Sequence, residues 1–110
     1  MAEVIGHFEQ AVLLALIRLG QDAYGRAILN EIQARLNRDV SAGAVYATLE
    51  RLEAKGLASS TLAPGTALRG GRARRYFVPT GAGVGALNDA RSATDSLWRG
   101  LAWPLKAGLR

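Results

Sequence analysis

The segment from residue 41 to residue 77 constrains the fold of this 110-residue chain more than any other part of it. It begins with Ser41, a residue type whose hydroxyl caps helix N-termini, and Gly56 is the type of residue that closes helices. Between them, apolar residues recur three and four positions apart: Ala42, Val45, Leu49 and Leu52. The spacing predicts an amphipathic helix with this stripe buried. Its outer face carries Gly43, Ala47, Glu50 and Arg51.

A hairpin is predicted directly after this helix. Residues 57–62 and 74–78 are β-compatible, and the turn residues between them, among them Pro64 and the pair Gly70-Gly71, exclude a helix. The sequence therefore predicts two strands joined by a long tip. The charged residues of this hairpin are all arginines: Arg69, Arg72, Arg74 and Arg75.

Two further helices are predicted upstream. Residues 8–19 are nearly all apolar and end at Gly20, which is typical of a buried helix. Asp22 is then expected to cap a second helix that ends at Asn37. The apolar positions of this second helix are Tyr24, Ile28, Leu29, Ile32 and Leu36.

Three helices followed by a basic hairpin are typical of a winged helix-turn-helix, an α+β fold that is mainly α. We expect it to occupy residues 1–79. In this fold the third helix enters the major groove of a DNA duplex, and the hairpin, or wing, lies along the phosphates. The segment therefore predicts a DNA-binding domain.

A fourth helix is predicted from Thr80, which can cap it, to Pro104, which would end it. Its first turn is weak because Gly81, Gly83 and Gly85 each cost roughly 1 kcal/mol relative to alanine. Beyond that turn, one seam alternates between three-residue and four-residue spacing: Leu87, Ala90, Thr94, Leu97 and Leu101. Such a seam suits a partner helix. We therefore expect residues 80–110 to form a homodimerisation helix.

Composition and charge agree with a DNA-binding protein. Residues 41–80 hold five Arg and one Lys against two acids, whereas residues 1–40 hold four Arg against five acids. The chain has no cysteine, a single histidine (His7) and no apolar run long enough to cross a membrane, so we expect a cytoplasmic protein. The sequence contains no cluster of catalytic or metal-ligating residue types, so we expect a protein that is not an enzyme and that binds no cofactor or metal.

Eight residues are the candidates for contact with double-stranded DNA: Ser41, Gly43, Tyr46, Arg51, Arg69, Arg72, Arg74 and Arg75. The wing arginines suit phosphate oxygens, because the guanidinium fork matches their geometry; the alternative is a solvated loop. Tyr46 is either a half-buried helix aromatic or a phosphate ligand. Ser41 serves as cap and phosphate ligand at one helix N-terminus, and Gly43 allows close approach to DNA. Arg51 is a candidate for base contact.

The ordered motifs of the chain resemble those of the PadR family of bacterial winged-helix transcriptional regulators, over roughly residues 8–90. The motifs are Leu19-Gly20, Ala23-Tyr24-Gly25 with Ile28, Val40-Ser41 with Gly43 and Val45-Tyr46, Leu49 with Arg51-Leu52-Glu53, Gly56-Leu57, Arg69-Gly70-Gly71-Arg72, and Arg74-Arg75-Tyr76-Phe77 with Thr80. Many members have proline after the third-helix tyrosine, whereas this chain has Ala47. The single C-terminal helix resembles that of the short subgroup.

The resemblance implies a homodimeric repressor that binds an inverted-repeat operator and controls a neighbouring operon, such as one for a transporter. The alternative is a protein-interaction module that uses the same fold without sequence-specific DNA binding. Trp98 resembles a position at which some short members form a slot for flat aromatic effectors. Its other reading is a packing residue at the interface, where tryptophan is favoured on energetic grounds alone.

Overall fold

The computed structural model describes residues 4–108 and contains, within them, four α-helices and two strands. The helices are α1 (His7–Leu19), α2 (Gly25–Leu36), α3 (Ala42–Ala54) and α4 (Gly81–Trp98). The strands are β1 (Ala58–Ala63) and β2 (Arg74–Pro79). Short 3₁₀ turns cover Gly20–Asp22 and Ala67–Arg69. The predicted winged helix-turn-helix fold, mainly α, is confirmed. No helix in this part of the chain has the length and apolar character needed to span a membrane.

Helices α1 to α3 pack around one apolar core. Its largest side chains are at most 2% exposed, and these include Leu13, Leu16, Ile28, Ile32, Leu49 and Leu52. The stripe predicted on α3 is buried from Val45 onward, with Thr48 added to it, but Ala42 is exposed. Ala42 is the first residue of the helix and lies beyond the edge of the core.

The start of α2 differs from the prediction. Asp22 belongs to a 3₁₀ turn and caps nothing; Tyr24 is the N-cap of α2, and its side chain makes no capping hydrogen bond. Tertiary contacts with β2 account for this start: the Phe77 N–H donates to the Ala23 carbonyl at 2.9 Å, and Tyr24 forms a β-bridge with Tyr76. The backbone before α2 is thereby held extended beside β2. The other end is as predicted: Asn37 adopts the left-handed conformation (φ 52°) and closes the helix.

The wing is a two-stranded antiparallel sheet that runs from the pair Ala58↔Pro79 to the pair Ala63↔Arg74. Its base is anchored in the core by Ala58 and Phe77, which are 4% and 5% exposed. The ten residues between the strands form the predicted long tip. Gly70 and Gly71 have positive φ there (64° and 79°), a conformation that favours glycine.

The first turn of α4 is held by tertiary contacts, which offset its high glycine content. The Thr80 hydroxyl accepts a hydrogen bond from the Gly83 N–H (3.1 Å) and donates one to the Gly56 carbonyl (2.7 Å). The Thr80 N–H donates to the Leu57 carbonyl at 3.0 Å. Gly83 lies so close to this carbonyl that a Cβ at residue 83 would overlap with its oxygen. The helix therefore begins against the segment that links α3 to β1.

The second half of α4 extends away from the rest of the chain. Leu87 is buried and Ala90 packs partly against the chain's own core, so the chain itself covers this part of the predicted seam. From residue 91 to residue 100 every side chain is exposed. The radius of gyration is 16.6 Å, whereas a compact chain of this length has about 13 Å.

The C-terminal end of α4 also differs from the prediction. The helix ends at Trp98, not near Pro104, because Arg99 leaves helical geometry and Gly100 takes a positive φ of 84°. Leu101 therefore lies outside the helix, where its N–H donates to the Trp98 carbonyl at 2.9 Å. The predicted seam is thus interrupted before its last member.

A buried carboxylate joins the start of α1 to the end of α3. Glu9 is 8% exposed; its Oε1 accepts from the Gly6 N–H (3.1 Å), and its Oε2 accepts from the Lys55 ammonium (2.9 Å). The Arg51 guanidinium is 3.8 Å away. Burial acts to raise the pKa of Glu9, but the hydrogen bonds from Lys55 and Gly6 and the charges of Lys55 and Arg51 outweigh it. The pKa of Glu9 therefore lies below its usual value.

We expect Gly83→Ala and Gly85→Ala to change stability in opposite directions. A Cβ at residue 83 overlaps with a backbone oxygen, whereas one at residue 85 meets no atom within 4 Å. Removing glycine from a helix interior otherwise stabilises it by about 0.5–1 kcal/mol. Urea unfolding should therefore show Gly83→Ala to be destabilised and Gly85→Ala to be slightly stabilised. Equal effects at the two positions would contradict the contact at Leu57.

Glu9→Gln should lower the free energy of unfolding at neutral pH by about 1.5–3 kcal/mol, the range for hydrogen bonds to charged groups. Because the folded state lowers the pKa of Glu9, its stabilisation is present above the unfolded pKa, about 4.3, and is lost as pH falls through the folded pKa. The difference between the two proteins should therefore shrink in acid. Urea unfolding at pH 7 and pH 3 measures this, with the exposed Glu50→Gln as the control. A difference that is the same at both pH values would exclude the ionic role.

Candidate nucleic-acid interface

A groove separates the wing from the helices and is the main candidate site; we call it the wing groove. Three parts of the chain line it: the start of α2, one side of α3, and the wing with β2. Its lining residues are Tyr24, Gly25, Arg26, Tyr46, Glu50, Glu53, Arg72, Ala73, Arg74, Arg75 and Phe77. The structure thus brings together Tyr46, Arg72, Arg74 and Arg75 of the predicted site.

The N-terminus of α3 is built as predicted. The Ser41 Oγ accepts a hydrogen bond from the Ala44 N–H at 3.0 Å, and residues 41–44 are all exposed. A Cβ added at Gly43 would meet no atom nearer than the Ser41 Oγ, at 4.0 Å. The fold therefore does not require glycine at residue 43. The first turn of this helix presents backbone and small side chains to the outside.

Tyr46 is a half-exposed helix aromatic, and its predicted phosphate contact stays a prediction. Its side chain rests on the start of α2, where a Cβ at Gly25 would overlap with the tyrosine hydroxyl and ring. Tyr46 is nevertheless 49% exposed and lines the wing groove. The absence of a side chain at residue 25 is what allows α3 to place its tyrosine there.

Arg74 stacks on an aromatic pair at the base of the wing. Its guanidinium carbon lies 3.8 Å from the centroid of the Tyr24 ring, in cation–π geometry. The Tyr24 ring in turn meets the Tyr76 ring edge to face, with centroids 5.8 Å apart. The position of Arg74 is therefore fixed relative to α2.

The other wing arginines have different surroundings. Arg69 donates to the carbonyls of Pro64 and Arg72 and so braces the tip. Arg75 donates to the Ser60 Oγ (3.0 Å), which itself donates to the Glu53 carboxylate (2.8 Å), so this arginine links the wing to α3. The Arg72 side chain is exposed and makes no hydrogen bond or ion pair with any residue between 4 and 108.

Arg51 lies apart from the wing groove. Its Nη2 donates to the Thr48 Oγ1 at 3.1 Å, and its Nε faces Glu9 on α1. Although 55% of the side chain is exposed, the arginine is on the side of α3 that faces α1. This pairing could not be predicted from a local pattern, because Glu9 precedes Arg51 by 42 residues.

Among the groove residues that were not predicted as site residues are Tyr24 and Arg26. Tyr24 was interpreted as part of the apolar face of α2, and Arg26 was counted within an N-terminal region of slightly negative net charge. Arg26 is exposed in the first turn of α2 and has no side-chain partner among the described residues. Its place beside the wing depends on the pairing of β2 with residues 23 and 24, which no local feature of the sequence indicates.

A second exposed surface lies at the C-terminal end. Leu97 is 79% exposed, Trp98 37% and Leu101 58%. The Trp98 and Trp103 rings meet edge to face, with centroids 5.5 Å apart. We call residues 97–105 the C-terminal apolar segment.

Comparison with known proteins identifies the fold and the family. A PadR-like transcription factor from Bacteroides fragilis is 26% identical, with a TM-score of 0.69 over 82% of each chain. A PadR family regulator from Eggerthella lenta is 28% identical, with a TM-score of 0.62 over 78% of this chain and 72% of that one. The S. aureus MepR–DNA complex is 22% identical, with a TM-score of 0.58 over 94% of this chain and 66% of that one, and shows a similar fold.

Among curated protein sequences, none matches this chain. The sequence model of the transcriptional regulator PadR-like family matches residues 13–89, which is most of the chain and includes α2, α3, the wing and the wing groove. This family is one of transcriptional regulators and not of enzymes. The chain therefore belongs to the PadR-like family of transcriptional regulators.

Proposed function

We propose that this protein is a homodimeric, sequence-specific DNA-binding repressor. In this proposal residues 1–79 bind DNA and residues 80–110 dimerise. The observation that carries it is the arginine-lined wing groove beside the exposed face of α3. A helix with small outward residues approaches base edges closely, while arginines beside it bind backbone phosphates. The fold shared with MepR, which has been solved as a DNA complex, supports the same arrangement.

Contacts to DNA are divided among the predicted residues. Ser41, Gly43 and Tyr46 lie on the exposed N-terminal half of α3 and approach the major groove, while Arg72, Arg74 and Arg75 follow the phosphates. Arg69 shapes the tip that carries Arg72.

The side of α3 that faces the bases is poor in long polar side chains. Arg51, paired with Glu9 and Thr48, holds α3 in place. Glu50 is exposed and has no partner among the described residues, so it is the candidate for base contact; a carboxylate accepts from the amino group of cytosine. We therefore expect modest base readout and a large phosphate contribution.

Dimerisation is assigned to the exposed end of α4 and the C-terminal apolar segment. Thr94, Leu97 and Leu101 remain the candidate contacts, since Leu87 and Ala90 are used by the chain's own core. Apolar side chains on a projecting helix gain burial from a second copy. A two-fold dimer would place two α3 helices on an inverted-repeat operator.

Trp98 carries the remaining part of the proposal, an effector site. Its indole meets the Trp103 ring edge to face, and the residue is 37% exposed. A slot for a flat ligand and a plain packing role both stay predictions for this residue. The regulated operon, including a transporter operon, stays a prediction as well.

The alternative, a protein-interaction module without sequence-specific DNA binding, is less well supported. Interaction surfaces are enriched in aromatic residues, whereas residues 64–73 of the wing tip include two arginines and no aromatic residue, and their one large apolar side chain is Leu68. Selection of bound fragments from a genomic library separates the two functions. Enrichment of one inverted-repeat sequence supports the repressor, and recovery of fragments without a shared sequence would contradict it.

Gly43→Leu should weaken operator binding without weakening the fold. Its side chain enters open space in the free protein, and leucine is the better helix former. On DNA the same side chain separates α3 from the bases, so we expect roughly a tenfold loss of operator affinity. Binding to random duplex should change less, because phosphate contacts do not depend on sequence. Thermal unfolding and fluorescence anisotropy measure the two effects; an unchanged operator-to-random ratio would exclude α3 as the reading helix.

Leu97→Asp should yield a folded monomer. Leu97 is 79% exposed in the single chain, so the substitution does not disturb the core. In a dimer it would bury an unpaired carboxylate, at a cost of several kcal/mol. Sedimentation should show monomer for Leu97→Asp and dimer for the control Ala82→Asp, which adds the same charge at the exposed first turn of α4. A dimer of wild-type strength in Leu97→Asp would place the interface elsewhere.

A further inference from the structure

The wing groove receives cations from two separate parts of the chain. Arg72, Arg74 and Arg75 come from the wing, and Arg26 comes from the first turn of α2. Arg26 is exposed, and its guanidinium is paired with no residue that the structure describes. Arg35, the other arginine of α2, is paired: it donates to the Glu31 carboxylate at 2.7 Å. One arginine of α2 is thus neutralised by its own helix, and the one at the groove is not.

The acids of the groove leave it an excess of positive charge. Four arginines face two glutamates, Glu50 and Glu53. The charge of Glu53 is tied to Arg75 through the Ser60 hydroxyl. Three arginines then remain against Glu50. A groove of this charge, open between α2 and the wing, suits an anionic group.

Stacking on the Tyr24 ring leaves the Arg74 guanidinium able to bind an anionic group. The Tyr24 ring covers one face of the guanidinium, at 3.8 Å, while the N–H groups of a guanidinium lie along its edge and stay available. Tyr24 is itself fixed by the backbone bridge and ring contact with Tyr76. An arginine held in one orientation loses less freedom when it binds a phosphate. Tyr24 therefore determines where the donors of Arg74 lie.

We propose that the wing groove binds a phosphate of the DNA backbone, with Arg26 and Arg74 as its ligands and Tyr24 as the positioning residue for Arg74. This rests on the proposed DNA-binding function. It adds a phosphate contact from α2 to those of the wing. The same DNA strand is then held on both sides of the groove, which fixes the angle at which α3 meets the bases.

The test of Arg26 is the salt dependence of binding to the selected operator and to a random duplex. Arg26→Ala should reduce the slope of log K against log salt by about 0.9, the value for one phosphate. The substitution should weaken binding to both duplexes by the same factor, because phosphate contacts carry no sequence information. Arg35→Ala, on the same helix but paired with Glu31, is the matched control and should keep the wild-type slope. A wild-type slope in Arg26→Ala overturns the assignment.

The test of Tyr24 uses conservative rescue and a double variant. Tyr24→Phe keeps the aromatic face and should bind like wild type, whereas Tyr24→Leu should lose as much affinity and slope as Arg74→Ala. The double variant Tyr24→Leu/Arg74→Ala should lose no more than either single variant, because both remove one contact. Additive losses, or a loss in Tyr24→Phe equal to that in Tyr24→Leu, would reduce Tyr24 to a structural residue and overturn its positioning role.

Failure of this inference is distinguishable from failure of the proposed function. A wild-type protein that binds neither duplex overturns both. A wild-type protein that prefers the operator, together with unchanged binding in Arg26→Ala, overturns only the groove contact. Thermal unfolding of each variant establishes that the compared proteins are folded.

Discussion

The pairing of β2 with the two residues before α2 is the interaction on which the proposed interface depends. The hydrogen bond from Phe77 to Ala23 and the bridge between Tyr24 and Tyr76 attach the wing to the helical core. They keep residues 23 and 24 extended and so determine where α2 begins. The same attachment places Tyr24 beneath Arg74 and leaves Arg26 facing the wing across the groove. Without it, Arg74 would lose the aromatic ring that fixes its position relative to α2.

A second attachment, at the start of α4, divides the last helix into two parts with different roles. Thr80 and Gly83 fix its first turn to residues 56 and 57, and Leu87 completes the core. Beyond Ala90 the helix leaves the core and carries its apolar side chains outward. Glu9 provides a third link, from α1 to the end of α3. In the proposed function these links make one rigid unit of the interface helix and the projecting helix.

The features that the sequence predicted correctly are those determined locally. Ser41 and Thr80 cap their helices because a hydroxyl before an amphipathic segment satisfies free N–H groups, and Val45, Leu49 and Leu52 are buried because their spacing puts them on one face. The features that the sequence did not predict involve contacts between distant segments. Asp22 does not cap α2, because the pairing of β2 with residues 23 and 24 makes Tyr24 the N-cap. Arg51 pairs with Glu9 of α1, and Leu87 packs in the chain's own core. Arg26 went unnoticed since nothing local indicates that α2 begins opposite the wing. Leu101 lies outside α4 for a different reason: the helix ends at Trp98, three residues before it, rather than near Pro104.

The central claim is that α3 contacts the bases of a duplex while the wing follows the adjacent phosphates. Hydroxyl-radical footprinting of the selected operator, combined with interference by methylation at guanine N7 in the major groove, tests it most directly. We expect two symmetric sets of protected sugars, with methylation interference inside each half-site and half-site centres about one helical turn apart or a multiple of that. Protection without any major-groove interference, or protection without two-fold symmetry, would contradict it.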